Sequence, residues 1–134
     1  MSMEGGNMLA DTSILISTKK YLGLVETYTI FDDELITLIN GVFAQLYTLG
    51  VGPSEPFEIS SEGELWSSFL GTNTHINEVS LYVFLNVQLL FDPPSSSYVL
   101  TAKQAQISKL EYELYLTCDP DVPTPTITSD SDDI

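Results

Sequence analysis

The side chains best suited to chemistry are few and far apart in this chain. There is one histidine, His75, and one cysteine, Cys118. A Cys–His nucleophile pair needs the two within hydrogen-bond reach. The surrounding pattern puts His75 in a loop that starts a helix and Cys118 in a terminal tail, so they read as a capping or surface histidine and an incidental thiol. A zinc site takes three or four Cys, His or carboxylate ligands at short spacing, and no nitrogen–sulfur set exists here. Asp32-Asp33-Glu34 would suit a hard cation, but it also opens a helix at the end where the dipole favours negative charge, and we adopt that reading. Asp130, Asp132 and Asp133 alternate like the start of a calcium loop without its glycine or distal glutamate. They read as a solvated tail. No glycine-rich phosphate loop and no Gly-x-Ser-x-Gly occurs, and there is no arginine to clamp a carboxylate or phosphate. An enzyme would need a hidden carboxylate pair, such as Asp32 with Glu78. We expect no catalytic residue, no metal and no cofactor.

The 134 residues, 43% of them hydrophobic, suffice for one domain with a core. The net charge of −15 sets 19 acidic residues against four lysines, Lys19, Lys20, Lys103 and Lys109. Contacts to phosphates need a basic patch, so direct nucleic-acid binding is not expected, nor is an anionic membrane surface. A single cysteine permits no internal disulfide. The start, Met1 to Asn7, lacks the basic and apolar regions of a signal peptide. The most apolar run, ending at Phe91, is too short and too polar for a membrane span. The expectation is a soluble protein kept in cytosol-like conditions.

The elements that must position these residues follow from periodicity. Residues 1–10 read as a flexible leader. Asp11-Thr12-Ser13 offers N-cap chemistry to a first helix running to about Leu22, with Lys19 and Lys20 in its last turn, where they suit the dipole, and Gly23 as its stop. Behind the acidic turn, Leu35, Leu38, Ile39, Val42, Phe43, Leu46 and Leu49 keep the three-and-four spacing of a second helix. Gly41 inside it suggests a close helix–helix approach. Phe57-Glu58-Ile59 alternates like a short strand. Leu65 to Leu70 reads as a short helical or 3₁₀ turn whose Trp66 and Phe69 plug one end of the core. A third helix starts near Asn73, with Thr74, Asn77 and Glu78 as a loose capping arrangement, and runs to Phe91. It is apolar nearly all round and so buried on most sides.

Leu89 to Tyr98 is the sharpest break. Phe91, Asp92, Pro93 and Pro94 form a rigid elbow, because a residue before proline is pushed out of the helical region. The serines that follow can cap a new helix. That helix, Tyr98 to Leu116, carries two apolar stripes at about 100° per residue. One holds Val99, Leu100, Ile107, Leu110 and Leu114. The other holds Tyr98, Ala102, Ala105, Tyr112 and Leu116. A helix with one core contact needs one stripe, so the second suggests self-association. Residues 117–134 are Pro/Thr-rich and then acidic, and cannot bury enough apolar surface to order themselves. The expected fold is all-α: a four-helix bundle-like domain over 11–116, a short β-hairpin or loop between helices 2 and 3, and an extended tail over 117–134.

Four stretches resemble, in order, the head–tail connector (adaptor, head completion) proteins of long-tailed bacteriophages. Ile14 to Leu24 resembles their first helix. Asp32 to Ile36 with Ile39-Asn40 resembles the second, and Trp66 to Gly71 their short aromatic turn. Leu89 to Ser97 is similar to their corner, where a helix ending in Leu-Phe-Asp-Pro-Pro leads into a long helix with a Glu-rich end, here Leu110 to Leu114. The resemblance covers roughly residues 11–116. It implies a non-enzymatic virion protein, made in the host cytoplasm and assembled as a twelve-subunit ring beneath the portal protein, with DNA only as transient cargo in its channel. It also implies a surface for the stopper or tail-terminator protein and a portal-docking segment beyond the last helix, here Thr117, Cys118, Asp119, Pro120, Val122, Pro123 and Ile127. With so few cations, cross-subunit salt bridges are scarce, and apolar contact through Tyr98, Ala102, Ala105, Tyr112 and Leu116 would hold the ring. An acidic channel wall would repel passing DNA rather than bind it. The competing reading is an acidic cytosolic helical binding module without enzymatic activity. That module would need a concave pocket with converging polar groups.

Overall fold

Helix formation begins where Ser13 turns its side chain back on the chain. Its Oγ accepts a hydrogen bond from the Ile16 N–H at 3.1 Å, capping the first helix. The computed structural model describes residues 11–70 and 75–118, and among these it contains five helices. They are α1 (Ile14–Tyr21), α2 (Asp32–Thr48), α3 (Trp66–Leu70), α4 (Ile76–Phe91) and α5 (Ser97–Cys118). The all-α expectation holds. The turn at Trp66 is a helix in its own right. Thr117 and Cys118, expected to open the tail, are the last residues of α5. The leader, Asn73, Thr74 and the tail from Asp119 on lie outside the described residues.

Two helices stop by the same device. At the end of α1, Gly23 adopts φ 83°, its N–H donates to the Lys20 carbonyl, and the Leu24 N–H donates to the Lys19 carbonyl. At the end of α2, Gly50 adopts φ 81°, with Gly50 N–H to Tyr47 and Val51 N–H to Leu46. Both are Schellman closures, which need a residue that accepts positive φ. Buried Val51 and Leu46 supply the apolar contact that accompanies the second.

No strand forms among the described residues, which corrects the hairpin expectation. Phe57 to Ile59 has an extended sequence pattern, but the Ile59 peptide is taken by a side chain. Asn40 of α2 accepts from the Ile59 N–H at 2.8 Å and donates to the Ile59 carbonyl at 3.0 Å. One amide thus satisfies both groups that a partner strand would have paired. The one isolated β-bridge instead joins Ser13 to Leu65. There Ile14 N–H donates to Glu64 and Trp66 N–H to Thr12, tying the starts of α1 and α3 together.

The core is built around α4, which packs against each of the other four helices. Val79, Tyr82, Val83, Leu85 and Val87 are buried, as its all-round apolar pattern implies. Phe43, Phe57, Phe69 and Trp66 close one end as an aromatic cluster, with Phe43 and Phe69 ring centroids 4.6 Å apart. Trp66 is fully buried and its indole N–H donates to Ser17 Oγ at 2.9 Å. This bears out its role as a plug. Gly41 has open space where a Cβ would stand, so it marks no close helix approach.

Lys19 stands in the last turn of α1, as expected. It is also fully buried, which charge alone does not suggest. Its Nζ donates to the Glu26 carbonyl at 2.8 Å and lies 2.9 Å from Asp32 Oδ1. That oxygen has no well-oriented hydrogen-bond donor, so the contact is an ion pair held by charge. The Asp32 side chain keeps 23% of its exposure. Removing one partner of a buried pair costs most when the other is left charged and dry. Asp32→Asn strands the enclosed ammonium and should cost about 2–4 kcal/mol in urea unfolding, whereas Lys19→Met leaves a partly wet carboxylate and should cost about 1–2 kcal/mol. Gly41→Ala, on an exposed helix face, should raise stability by about 1 kcal/mol in the same assay.

Candidate interaction surface

The corner at the end of α4 sets where α5 goes. Asp92 N–H still donates to the Gln88 carbonyl at 2.8 Å, after which Pro93 and Pro94 lie in neither helix. Ser96 restarts the helix: its Oγ accepts from Val99 N–H at 3.3 Å and its carbonyl from Leu100 N–H at 3.0 Å. Phe91 is half-buried and meets Phe31 edge-on at 5.1 Å, which ties the corner to the start of α2. Asp92 and Pro93 are exposed and Pro94 is half-buried.

From this corner α5 lies along α4. Leu110 and Leu114 are buried, and Leu100 and Ile107 are half-buried, so most of the first stripe faces the domain. Val99, nearest the corner, is 39% exposed. A polar bolt adds to this packing. Tyr82, buried on α4, donates its hydroxyl to Glu111 Oε2 on α5 at 2.7 Å. Burial first, and then the adjoining Glu111 carboxylate, pushes the Tyr82 phenol well above its ordinary value.

The second stripe lies on the opposite side of α5. Tyr98 and Tyr112 are 83% and 64% exposed, and Ala102 and Ala105 face solvent. Leu116 shares the azimuth of Tyr98 but is half-buried. Tyr115, 43% exposed, extends this face and did not stand out in the sequence. The spacing of Tyr115, three beyond Tyr112, was the available signal. Two apolar stripes on opposite sides cancel in any measure of amphipathicity, and α5 therefore looks featureless by that measure.

Other candidate positions do not converge. His75 sits at the N-cap position of α4 without a side-chain cap bond, and Cys118 ends α5. Asp32 is paired with Lys19 and Glu78 is exposed on α4, so these carboxylates form no shared buried cleft. No group of three or more His, Cys, Asp or Glu among the described residues could hold a metal ion. No described helix is long and apolar enough to cross a membrane. A groove of about 440 Å³ opens between α1 and α4, lined by Thr12, Ile16, Ser17, Lys20, Tyr21 and Phe84. Its main wall is the Tyr21–Phe84 stack at 5.0 Å, and the Ser17 hydroxyl is already bonded to Trp66 and to the Ile14 carbonyl.

The sequence profile of the family described as phage connector protein matches residues 14–121. The chain belongs to the phage connector protein family. No curated protein and no solved structure matches it. The match spans all five helices of this connector protein, the corner between α4 and α5 included. It assigns the connector protein to the structural proteins of a phage particle.

The Tyr82–Glu111 bond gives a signature in alkali. The raised phenol value means the fold favours the protonated hydroxyl. The bond's contribution is therefore complete below the unfolded phenol value near 10, and is lost as pH rises above it. Tyrosinate absorbance should show a late phase that coincides with unfolding, and Tyr82→Phe should remove it. The same change should cost about 1–2 kcal/mol at neutral pH, because Glu111 loses its donor.

Proposed function

We propose that this connector protein assembles as a homo-oligomeric ring, of twelve subunits as the family resemblance implies, between the portal and the tail of a long-tailed phage. The ring extends the DNA channel, joins the capsid to the tail and performs no catalysis. The observation that carries this reading is the apolar stripe Tyr98, Ala102, Ala105 and Tyr112, exposed on the far side of a helix whose near side is already packed. Exposed tyrosines flanking small residues suit a contact in which a neighbouring subunit approaches closely. Cations are too scarce for salt bridges to provide ring cohesion: Lys19 is enclosed, and among the described residues Lys109 lies 4.0 Å from Glu113 of its own helix. The segment Thr117 to Ile127 is assigned to portal docking, and the opposite rim of the ring to the stopper or tail-terminator protein. The acidic composition suits a channel through which DNA passes without binding.

Mixing the purified protein with the portal protein of the same phage, followed by sizing and electron microscopy, tests this. The wild type should decorate the portal as a closed ring. Ala105→Glu, at an exposed position, should keep its helical circular dichroism and fail to close the ring. Pro93→Gly with Pro94→Gly should leave the helices largely formed and also impair assembly, because the direction of α5 is no longer fixed. A wild type that ignores the portal, or an Ala105→Glu protein that assembles normally, would refute the reading.

A further inference from the structure

A second set of exposed apolar side chains occurs in the loop that joins α1 to α2. Val25 and Ile30 are 67% and 71% exposed, and Tyr28 stands between them in the chain, about half exposed. Leu90, exposed in the last turn of α4, adds a fourth apolar side chain beside Phe91. Tyr28 packs edge-on against Phe31 at 5.8 Å, and Phe31 against Phe91 at 5.1 Å. A continuous aromatic ladder therefore runs from the loop to the end of α4.

The loop is braced for its whole length. Lys19 Nζ holds its middle through the Glu26 carbonyl and its end through Asp32. The Schellman closure at Gly23 fixes its start, and two successive turns, Tyr28 N–H to Val25 and Asp32 N–H to Thr29, set its course. A loop held this way presents apolar side chains with little ordering entropy left to lose on binding. Scattered exposed apolar residues are ordinary. Here Tyr28 belongs to the ladder, and the loop that carries Val25 and Ile30 is braced.

Charge selects the occupant. Glu26, Asp33, Glu34 and Asp92 are exposed on the same loop and helix ends. Lys19, which holds the loop, is sealed inside and offers nothing to a partner, and Lys20 in the last turn of α1 is the exposed cation nearest in the chain. Two copies of this end would face carboxylates with carboxylates, and the chain has no arginine and only three other lysines to relieve that. We propose that the α1–α2 loop with the end of α4 is a docking surface for a different polypeptide, through a segment whose apolar side chains are flanked by lysine or arginine. Ring closure through α5 is not required for this contact, and its test is independent of that reading.

The probe is a synthetic 14-residue peptide alternating leucine with arginine, titrated into the isotope-labelled full chain. Amide shifts should concentrate in residues 25–34 and 89–92. Ile30→Ser with Leu90→Ser, exposed positions that leave the fold intact by thermal melting, should weaken binding about tenfold or more. Glu26→Lys with Asp33→Lys, which leaves the apolar centre untouched, should weaken it and flatten its salt dependence. A peptide with serine for leucine, or glutamate for arginine, should not bind. Equal binding by either double variant, equal binding by the serine–arginine peptide, or self-association of the wild type through this loop would overturn the proposal.

Discussion

The geometry of this protein depends on one enclosed ammonium. A chain with four lysines and no arginine buries Lys19 completely. The charge is tolerable because it is met twice, by the Glu26 carbonyl and by Asp32. Those two contacts join the Gly23 closure and two turns in fixing the loop between α1 and α2. The loop delivers Phe31 to Phe91, and Phe91 is the last residue before the proline corner. The position of α5 is therefore linked, through one ion pair and one ring contact, to the end of α1.

The corner and the Tyr82–Glu111 bond act on α5 from two places. Pro93 and Pro94 keep α4 and α5 from merging into one helix, and Tyr82 holds the later turns of α5 against α4. Packing then uses one stripe and leaves the other outside. An apolar face held outward by a rigid scaffold is what a subunit needs if it is to meet copies of itself without salt bridges. In the proposed ring, the same scarcity of cations would leave α5 to apolar contact and would make the α1–α2 end repel its own copies.

Much of this was legible in the sequence, for identifiable reasons. Three-and-four spacing located α2, an all-round apolar run located α4, Gly23 marked a stop that glycine makes cheaply, and the serine run after Pro94 marked the restart. In α5 the stripes divide into packed and exposed except at their ends, where Val99 is exposed and Leu116 half-buried. Lys19 takes the last-turn place expected of it, and its burial follows from position rather than charge. It lies four residues after Leu15 and three before Leu22, squarely on the inward face of α1. The strand at Phe57 to Ile59 was misjudged because its partner is the Asn40 side chain, and no backbone pattern encodes such a pairing. Gly41 carried no information about packing at all.

The central claim is that the outward face of α5 joins one subunit to the next. A density map of the assembled phage neck, at a resolution that separates side chains, tests it most directly. The account predicts Tyr98, Ala102, Ala105 and Tyr112 of each subunit buried against its neighbour in a closed ring. A ring in which this face remains open to solvent, or lines the channel with no neighbour against it, would contradict the account.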